Sequence, residues 1–264
     1  MIELLVVVAI IAILAGLLLP ALARAKTRAT AVHCTSSLRQ LQVACQMYVG
    51  DNKDYLPGNN WQQEAGSGAS RGSLNWVTGW LDPRQPGNAD NTNVDLLLNP
   101  QWSQIGPYAG SAGIYHCMAS RVVCREGSLL LPVVRTVSMN GWMGVNNSVW
   151  NDGFQSYHKQ TEFLTLSPSD ANIFIDERDD SIDDGYFAVD MQTAQIVNYP
   201  ANYHGGSGGA SFADGHAEIH KWRSPELQPP QQMSVQVSKQ QFTSVSARNV
   251  DLAWLRYHST RPAL

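Results

Sequence analysis

Six carboxylates lie within nine consecutive positions of this sequence, and carboxylate oxygens at such density are potential metal ligands. Arg178 lies among them and Gly185 follows them. Like charges this close repel one another, so the segment requires either a bound cation or full solvation. Oxygen ligands with a glycine at the bend suit Ca²⁺, although the spacing differs from that of an EF-hand. We therefore predict calcium binding here, with a solvated or arginine-paired turn as the alternative. The candidate ligands are Asp176, Glu177, Asp179, Asp180, Asp183 and Asp184.

A second candidate site is His204, which precedes a Gly-rich stretch and is separated by nine intervening residues from the dipeptide Asp214-Gly215. A histidine beside such a stretch could belong to a hydrolase or a phosphate loop. However, no nucleophile elbow, P-loop lysine or second base accompanies it in the sequence. We therefore predict no enzymatic activity and an architectural role, in which His204 hydrogen-bonds Asp214 or a turn carbonyl.

Asp214-Gly215 also predicts a β-hairpin, because it separates two runs of alternating polarity. The expected connection is a two-residue type I′ turn, which needs positive φ at both central residues. Folding the chain at this dipeptide places Ala210 and Phe212 on the same face as Ala217 and Ile219.

The N-terminus carries a twenty-residue apolar run over residues 4–23, about 30 Å of helix and one bilayer core. Glu3 lies immediately before this run, and burying its carboxylate in lipid costs a few kcal/mol unless the carboxylate is paired. Alternatively, Glu3 lies at the membrane interface, where the dipole at the helix N-terminus stabilises its charge. No Lys or Arg precedes the run, which disfavours a secretory signal. Pro20 is expected to kink or locally melt the helix.

The helix is predicted to continue to about Asp51, with one apolar stripe that packs on a globular domain. Downstream we predict a short helical piece near 94–98, strands over 133–138, 172–175, 186–190, 209–213 and 216–222, and a last helix near 249–257. The predicted fold class is α+β, with a long N-terminal helix packed on an antiparallel sheet. The predicted parts are residues 1–23 (membrane or filament helix), 24–52 (amphipathic helix), 53–223 (head) and 224–264 (C-terminal extension). The stripe consists of Cys34, Leu38, Leu41, Cys45 and Tyr48.

Only 15% of the residues are charged and the net charge is -4. A nucleic-acid binder needs a basic face to neutralise phosphates, so this class is disfavoured. Four tryptophans in the Gly- and Asn-rich segment 58–110 are expected to fill core rather than bind sugar. They are Trp61, Trp76, Trp80 and Trp102.

The N-terminal segment resembles that of type IV pilins and type II secretion pseudopilins; it reads MIELLVVVAIIAILAGLLLPALARAK. In that pattern a basic leader and a cleaved Gly precede an apolar helix with a Glu near its start, which Glu3 matches, and a helix-softening Pro, which Pro20 matches. The spacing from His204 to Asp214-Gly215 resembles the prepilin-type processing-associated domain, found in planctomycete and verrucomicrobial relatives. Arg24, Lys26 and Arg28 alone would place the head in the cytoplasm. The resemblance implies a leader upstream that would hold the N-terminus inside.

The resemblance also implies a function by assembly. The chain would be held in the cytoplasmic membrane with an extracytoplasmic head, and would assemble with like subunits through the pilus or secretion machinery. Glu3 would pair with the N-terminal amine of an adjacent subunit. The alternative is a membrane-anchored binding module that captures a glycan through its Trp-rich segment and does not polymerise.

An extracytoplasmic head permits disulfides among the four cysteines. Cys34 and Cys45 are eleven residues apart on one predicted helix, roughly 16 Å, which is beyond the reach of a disulfide. Cys117 could pair with Cys124 or with Cys34, and the sequence leaves both pairings open.

Overall fold

The protein has an α+β fold, seen in a computed structural model that describes residues 2–59, 75–144, 153–228 and 242–263. This confirms the predicted fold class. The helices are α1 (Ile2–Asp51), α2 (Asp95–Leu98), α3 (Gly106–Ala109) and α4 (Val250–Ser259). The strands are β1 (Val123–Glu126), β2 (Leu129–Pro132), β3 (Val137–Asn140), β4 (Asn172–Asp176), β5 (Tyr186–Phe187), β6 (Gln195–Ile196), β7 (Ser207–Phe212), β8 (Ala217–Lys221) and β9 (Thr243–Ser244). Short 3-10 helices span Ala89–Asn91, Ala112–Tyr115, Gln160–Glu162 and Pro225–Leu227.

The central sheet has the strand order β5-β3-β4-β7-β8. Its pairings are antiparallel except for β3 with β5, which is parallel. The pairs β1-β2 and β6-β9 form separate two-stranded ribbons. The predicted strand 133–138 overlaps only the start of β3. Upstream of β3, the backbone N–H of Val134 donates to the Asn91 carbonyl, and that of Thr136 donates to the Tyr115 carbonyl. These two donors therefore bond to other segments and do not take part in strand pairing.

Helix α1 is unbroken over 50 residues, and it ends at Asp51 as predicted. The expected local melting at Pro20 is wrong. A proline removes only its own N–H donor, to the carbonyl of Gly16, and the helix continues on the bonds at either side. The predicted stripe is confirmed, since Cys34, Leu38, Leu41 and Cys45 are each at most 2% exposed and Tyr48 is partly buried against the same core.

The sheet lies between α1 on one face and α4 on the other, with a hydrophobic core on each side. On the α1 side the core includes Trp76, Phe174 and Ala217. On the α4 side, whose helix begins at the side-chain cap Asn249, it includes residues of β4, β5 and α4 together with Trp222. Each fully buried large apolar side chain contributes about 1.5–3 kcal/mol to this packing.

The β7-β8 hairpin forms, but its register differs from the predicted one. Ser211 pairs with Ala217, and Phe212 N–H donates to the His216 carbonyl, so the loop has three residues. Only Gly215 within this loop has positive φ, at +99°, which matches a type I turn followed by a bulge and not a type I′ turn. Because a one-residue shift reverses faces, Ala217 and Ile219 lie opposite to Ala210 and Phe212.

Candidate functional site

The first candidate surface is the N-terminal half of α1, where Glu3 and Pro20 lie. Glu3 is exposed in the first turn of the helix, and Pro20 is exposed within it. Every large apolar side chain from Leu4 to Leu22 is at least 52% exposed. The most apolar window has a mean hydropathy of 3.0, and none of it is buried. By length and composition α1 can therefore serve as one membrane span or as a signal sequence.

A second candidate site is a buried cluster of four side chains, Cys34, Cys117, Asp176 and His204. Their donor atoms all lie within 4.8 Å of one another. The Cys34 thiol donates to Asp176 Oδ2 at 2.7 Å, and Cys117 Sγ lies 3.4 Å from His204 Nε2. None of the four residues is more than 6% exposed. Within the described ranges, this is the group of His, Cys, Asp or Glu side chains that is compact enough to share one metal ion.

Four different elements bring these side chains together. Cys34 belongs to the buried stripe of α1, and Asp176 is the last residue of β4. Cys117 follows a 3-10 helix, and its backbone N–H donates to Thr136 Oγ1 at 2.8 Å. His204 precedes β7 in a turn that its own backbone N–H closes on the Ser207 carbonyl at 3.1 Å.

Burial and hydrogen bonding within the cluster determine its electrostatics. Burial raises the pKa of Asp176 to about 7, against an opposing contribution from the Cys34 hydrogen bond and from the backbone N–H of Gly209. Hydrogen bonding with Cys117, burial and the charge of Asp176 raise the pKa of the Cys34 thiol. Asp176 Oδ1 and His204 Nδ1 are buried, and neither has a hydrogen-bond partner among the residues that the structure describes.

The acidic segment is not a solvated loop, because most of its side chains are buried. Glu177 is fully buried and accepts hydrogen bonds from Ser138 at 2.5 Å and from Ser181 and Asn198 at 2.6 Å. Burial, followed by the charge of Asp183, raises its pKa to about 7.

The other carboxylates of the segment have separate partners. Arg178 pairs with Asp180 at 2.6 Å, Asp179 accepts from Ser120, and Asp184 accepts from a backbone N–H. Asp176 points into the cysteine cluster. The six side chains therefore do not meet as one ligand set in the described structure, and part of the segment matches the arginine-paired alternative. Calcium binding here stays a prediction.

The predicted contact between His204 and Asp214 is absent, because strand β7 separates them. At about 3.3 Å per residue, its six residues place the two side chains roughly 20 Å apart. Asp214 instead accepts from the backbone N–H and the Nδ1 of His216, at 3.0 and 2.6 Å. The nine intervening residues thus contain the whole of β7, with His204 before the strand and the Gly215 turn after it.

All four cysteines are buried free thiols, so neither disulfide predicted for Cys117 is formed in the structure. Cys124 donates to the Leu131 carbonyl at 3.3 Å across the β1-β2 ribbon. Cys34 lies within 4.8 Å of Cys117, and Cys45 is buried separately, with its pKa raised to about 12 by desolvation. Of the two predicted partners, the structure brings Cys34 close.

The tryptophans of the segment 58–110 differ in burial. Trp76 fills the core as predicted, with ring centroids 5.0 Å from Phe174 and 6.1 Å from Tyr115. Trp80 and Trp102 are half-buried, and Trp61 lies outside the described residues.

Two residues that sequence reasoning did not select support the buried cluster. A Cβ at Gly209 would lie 2.5 Å from Leu38 and 2.7 Å from Asp176 Oδ2, so only glycine leaves room for both. Thr136 fixes Cys117 through its hydroxyl. A pair of glycines within a strand, Gly208 and Gly209, was the available signal for the first; no local signal marks the second.

Comparisons with protein-family models, with curated proteins and with solved structures found no match to this chain.

Proposed function

We propose that this protein is a pilin-like structural subunit, held in the cytoplasmic membrane by the N-terminal half of α1 and assembled with like subunits into a filament of the type IV pilus or type II secretion kind. The observation that carries the proposal is the division of one continuous helix into an exposed apolar half and a half packed on the sheet. The pilin-like architecture and the resemblance of the N-terminal segment support it together.

Exposed apolar surface of this extent requires a partner other than water. The thirteen large apolar residues between Leu4 and Leu22 surround the helix on all sides, which suits lipid or a ring of neighbouring helices. Helix α1 then enters the head without an intervening loop. This continuity favours a retained anchor over a cleaved signal sequence, since a signal is removed at an extended, accessible segment.

Glu3 is the residue that distinguishes assembly from simple anchoring. A carboxylate at the membrane boundary is costly unless it is paired, and a cationic N-terminal amine on an adjacent subunit would pair it. A binding module that remains alone in the membrane would leave Glu3 without that partner.

The test compares Glu3→Ala with Glu218→Ala, an exposed glutamate of the head that serves as control. Cells that carry a pilus or type II secretion assembly system would express each full chain. We expect both variants in the membrane fraction, both heads digested by protease added outside the membrane, and filament cross-links lost only for Glu3→Ala.

Three results would contradict the proposal. Wild-type chain found in the soluble fraction would show that α1 does not anchor the protein in the membrane. A head protected from external protease would show that it faces the cytoplasm. Wild-type chain that is anchored but forms no subunit cross-links would favour the glycan-binding module.

A further inference from the structure

We propose that Cys34, Cys117, Asp176 and His204 form a structural zinc site that fastens α1 to the head. The inference is independent of filament assembly, since it concerns how the protein holds its own helix. It stands on the convergence of four buried side chains from four elements.

The distances suit a tetrahedral ion. Zinc bonds of about 2.0–2.3 Å place neighbouring ligand atoms of a tetrahedron roughly 3.3–3.8 Å apart. Cys117 Sγ and His204 Nε2 are 3.4 Å apart, and all four donor atoms lie within 4.8 Å of one another. The shorter 2.7 Å contact between Cys34 and Asp176 is a hydrogen bond, and it would lengthen by under about 1 Å once zinc replaces the thiol proton.

The chemistry of the donors also indicates zinc. Two thiolates and an imidazole are the ligands that zinc prefers, while Ca²⁺ and Mg²⁺ prefer oxygen alone. Two thiolates and one carboxylate around Zn²⁺ leave a net charge of -1, the same as in a Cys₃His site. Four protein ligands in a buried position complete the coordination, so the site is structural and not catalytic. Binding releases two thiol protons to solvent and changes no oxidation state.

Zinc accounts for the cluster better than a disulfide does. A Cys34–Cys117 disulfide would engage the two sulfurs only, and it would remove the thiol that now donates to Asp176. Asp176 would then be a fully buried carboxylate with fewer donors, while its Oδ1 already has no partner within the described part of the chain. A divalent cation compensates the charge of Asp176 and uses the imidazole of His204 as well.

The consequence is mechanical. Cys34 and Asp176 are 142 residues apart in sequence, and one is on α1 while the other is on the central sheet. A zinc ion bound by both would resist separation of α1 from the sheet. A force applied to the membrane-anchored end of α1 would act on this contact.

The test uses the full chain, purified in detergent under reducing conditions. Elemental analysis of the wild type should find about one zinc per chain. Tm should be roughly 8–16 °C lower after a chelator removes zinc than it is at a free zinc concentration of about a thousand times Kd. Adding Zn²⁺, but not Mg²⁺, should restore the higher Tm. Co²⁺ in place of zinc should give a thiolate charge-transfer absorption band.

Variants assign the ligands. Each cluster variant should weaken zinc binding more than about 100-fold, because even outer-shell partners are worth 10- to 100-fold. Two variants serve as matched controls: Cys45→Ser removes a buried thiol of the same helix, and His258→Gln removes a half-buried imidazole, and both should keep one zinc. The cluster variants are Cys34→Ser, Cys117→Ser, Asp176→Asn and His204→Gln.

The wild-type measurements decide the matter even if a cluster variant fails to fold. Wild-type protein that holds well below one zinc per chain and gives no cobalt charge-transfer band would overturn the proposal. The proposal would also be overturned if protein isolated from an oxidising compartment held no zinc and mass spectrometry found a Cys34–Cys117 disulfide in it. A control variant that also loses zinc would place the site elsewhere.

Discussion

The packing of Leu38 against Gly209 predicts a measurable coupling between α1 and the sheet. Leu38 is fully buried, and a Cβ at Gly209 would approach its Cδ1 to 2.5 Å. Leu38→Ala removes buried methyl groups and leaves a cavity, which should cost about 2.7–5 kcal/mol. Gly209→Ala over-packs the same contact and should cost about 1–3 kcal/mol.

The double variant should lose less stability than the sum of the single variants, by about 1 kcal/mol or more, because the methyl group added at position 209 then occupies space that the Leu38 side chain has vacated. It should not return to wild type, since the added methyl still meets Asp176 Oδ2 at 2.7 Å. Stability would be measured as Tm of the full chain in detergent, where about 1 kcal/mol corresponds to roughly 2–4 °C for a domain of this size.

Met47→Ala is the matched control, because Met47 is on the same helix and 51% exposed. It should change stability by less than about 0.5 kcal/mol. A Leu38→Ala protein that melts with the control would show that α1 does not pack on the sheet as described. Additive effects of the Leu38 and Gly209 changes would refute the contact between them.

Four further predictions concern the head and use the same melting assay. Gly215→Val should lower stability by about 1–3 kcal/mol, because φ is +99° there, and Gly215→Asn should cost less; equal costs would contradict a backbone cause. Asp251→Ala should cost about 2–4 kcal/mol, because this buried carboxylate accepts the N–H groups of Arg223 and Ser224; Asp251→Asn, which retains an acceptor, should lie between, and an unchanged Tm for both variants would refute the role. Burial lowers the pKa of His258, so the folded state binds fewer protons, and stability is lost as pH falls below the unfolded value of about 6.5. Wild type should therefore lose more stability than His258→Gln between about pH 7.5 and pH 5.5, and identical losses would contradict this. If residues 176–184 bind calcium, Tm should be higher in millimolar Ca²⁺ than in chelator. The measurement uses the Cys34→Ser variant, so that zinc does not contribute. An unchanged Tm would show that these carboxylates interact with other groups of the protein and not with Ca²⁺.

Local pattern was sufficient to predict α1, its end at Asp51 and its buried stripe, because periodicity and a helix stop are properties of neighbouring residues. It also located the β7-β8 hairpin and the need for glycine at 215. It failed on the hairpin register, since Asp-Gly occurs in both two-residue and three-residue turns and the choice between them reverses the faces. Packing of Phe212 toward α4 and Ala217 toward α1 selects the register.

The buried cluster shows the same division more clearly. Each of its four residues was singled out in the sequence, but for a different role. Asp176 was predicted as a calcium ligand and His204 as an anchor for the hairpin. Cys117 was predicted to form a disulfide with either Cys124 or Cys34. Their contacts span 142 and 87 residues along the chain, and no local spacing relates a helix stripe, a strand end and two loops. The sequence determined which side chains are potential ligands. Only the packing of α1 on the sheet decided that four of them share one site, because burial against a common face is what brings distant segments together.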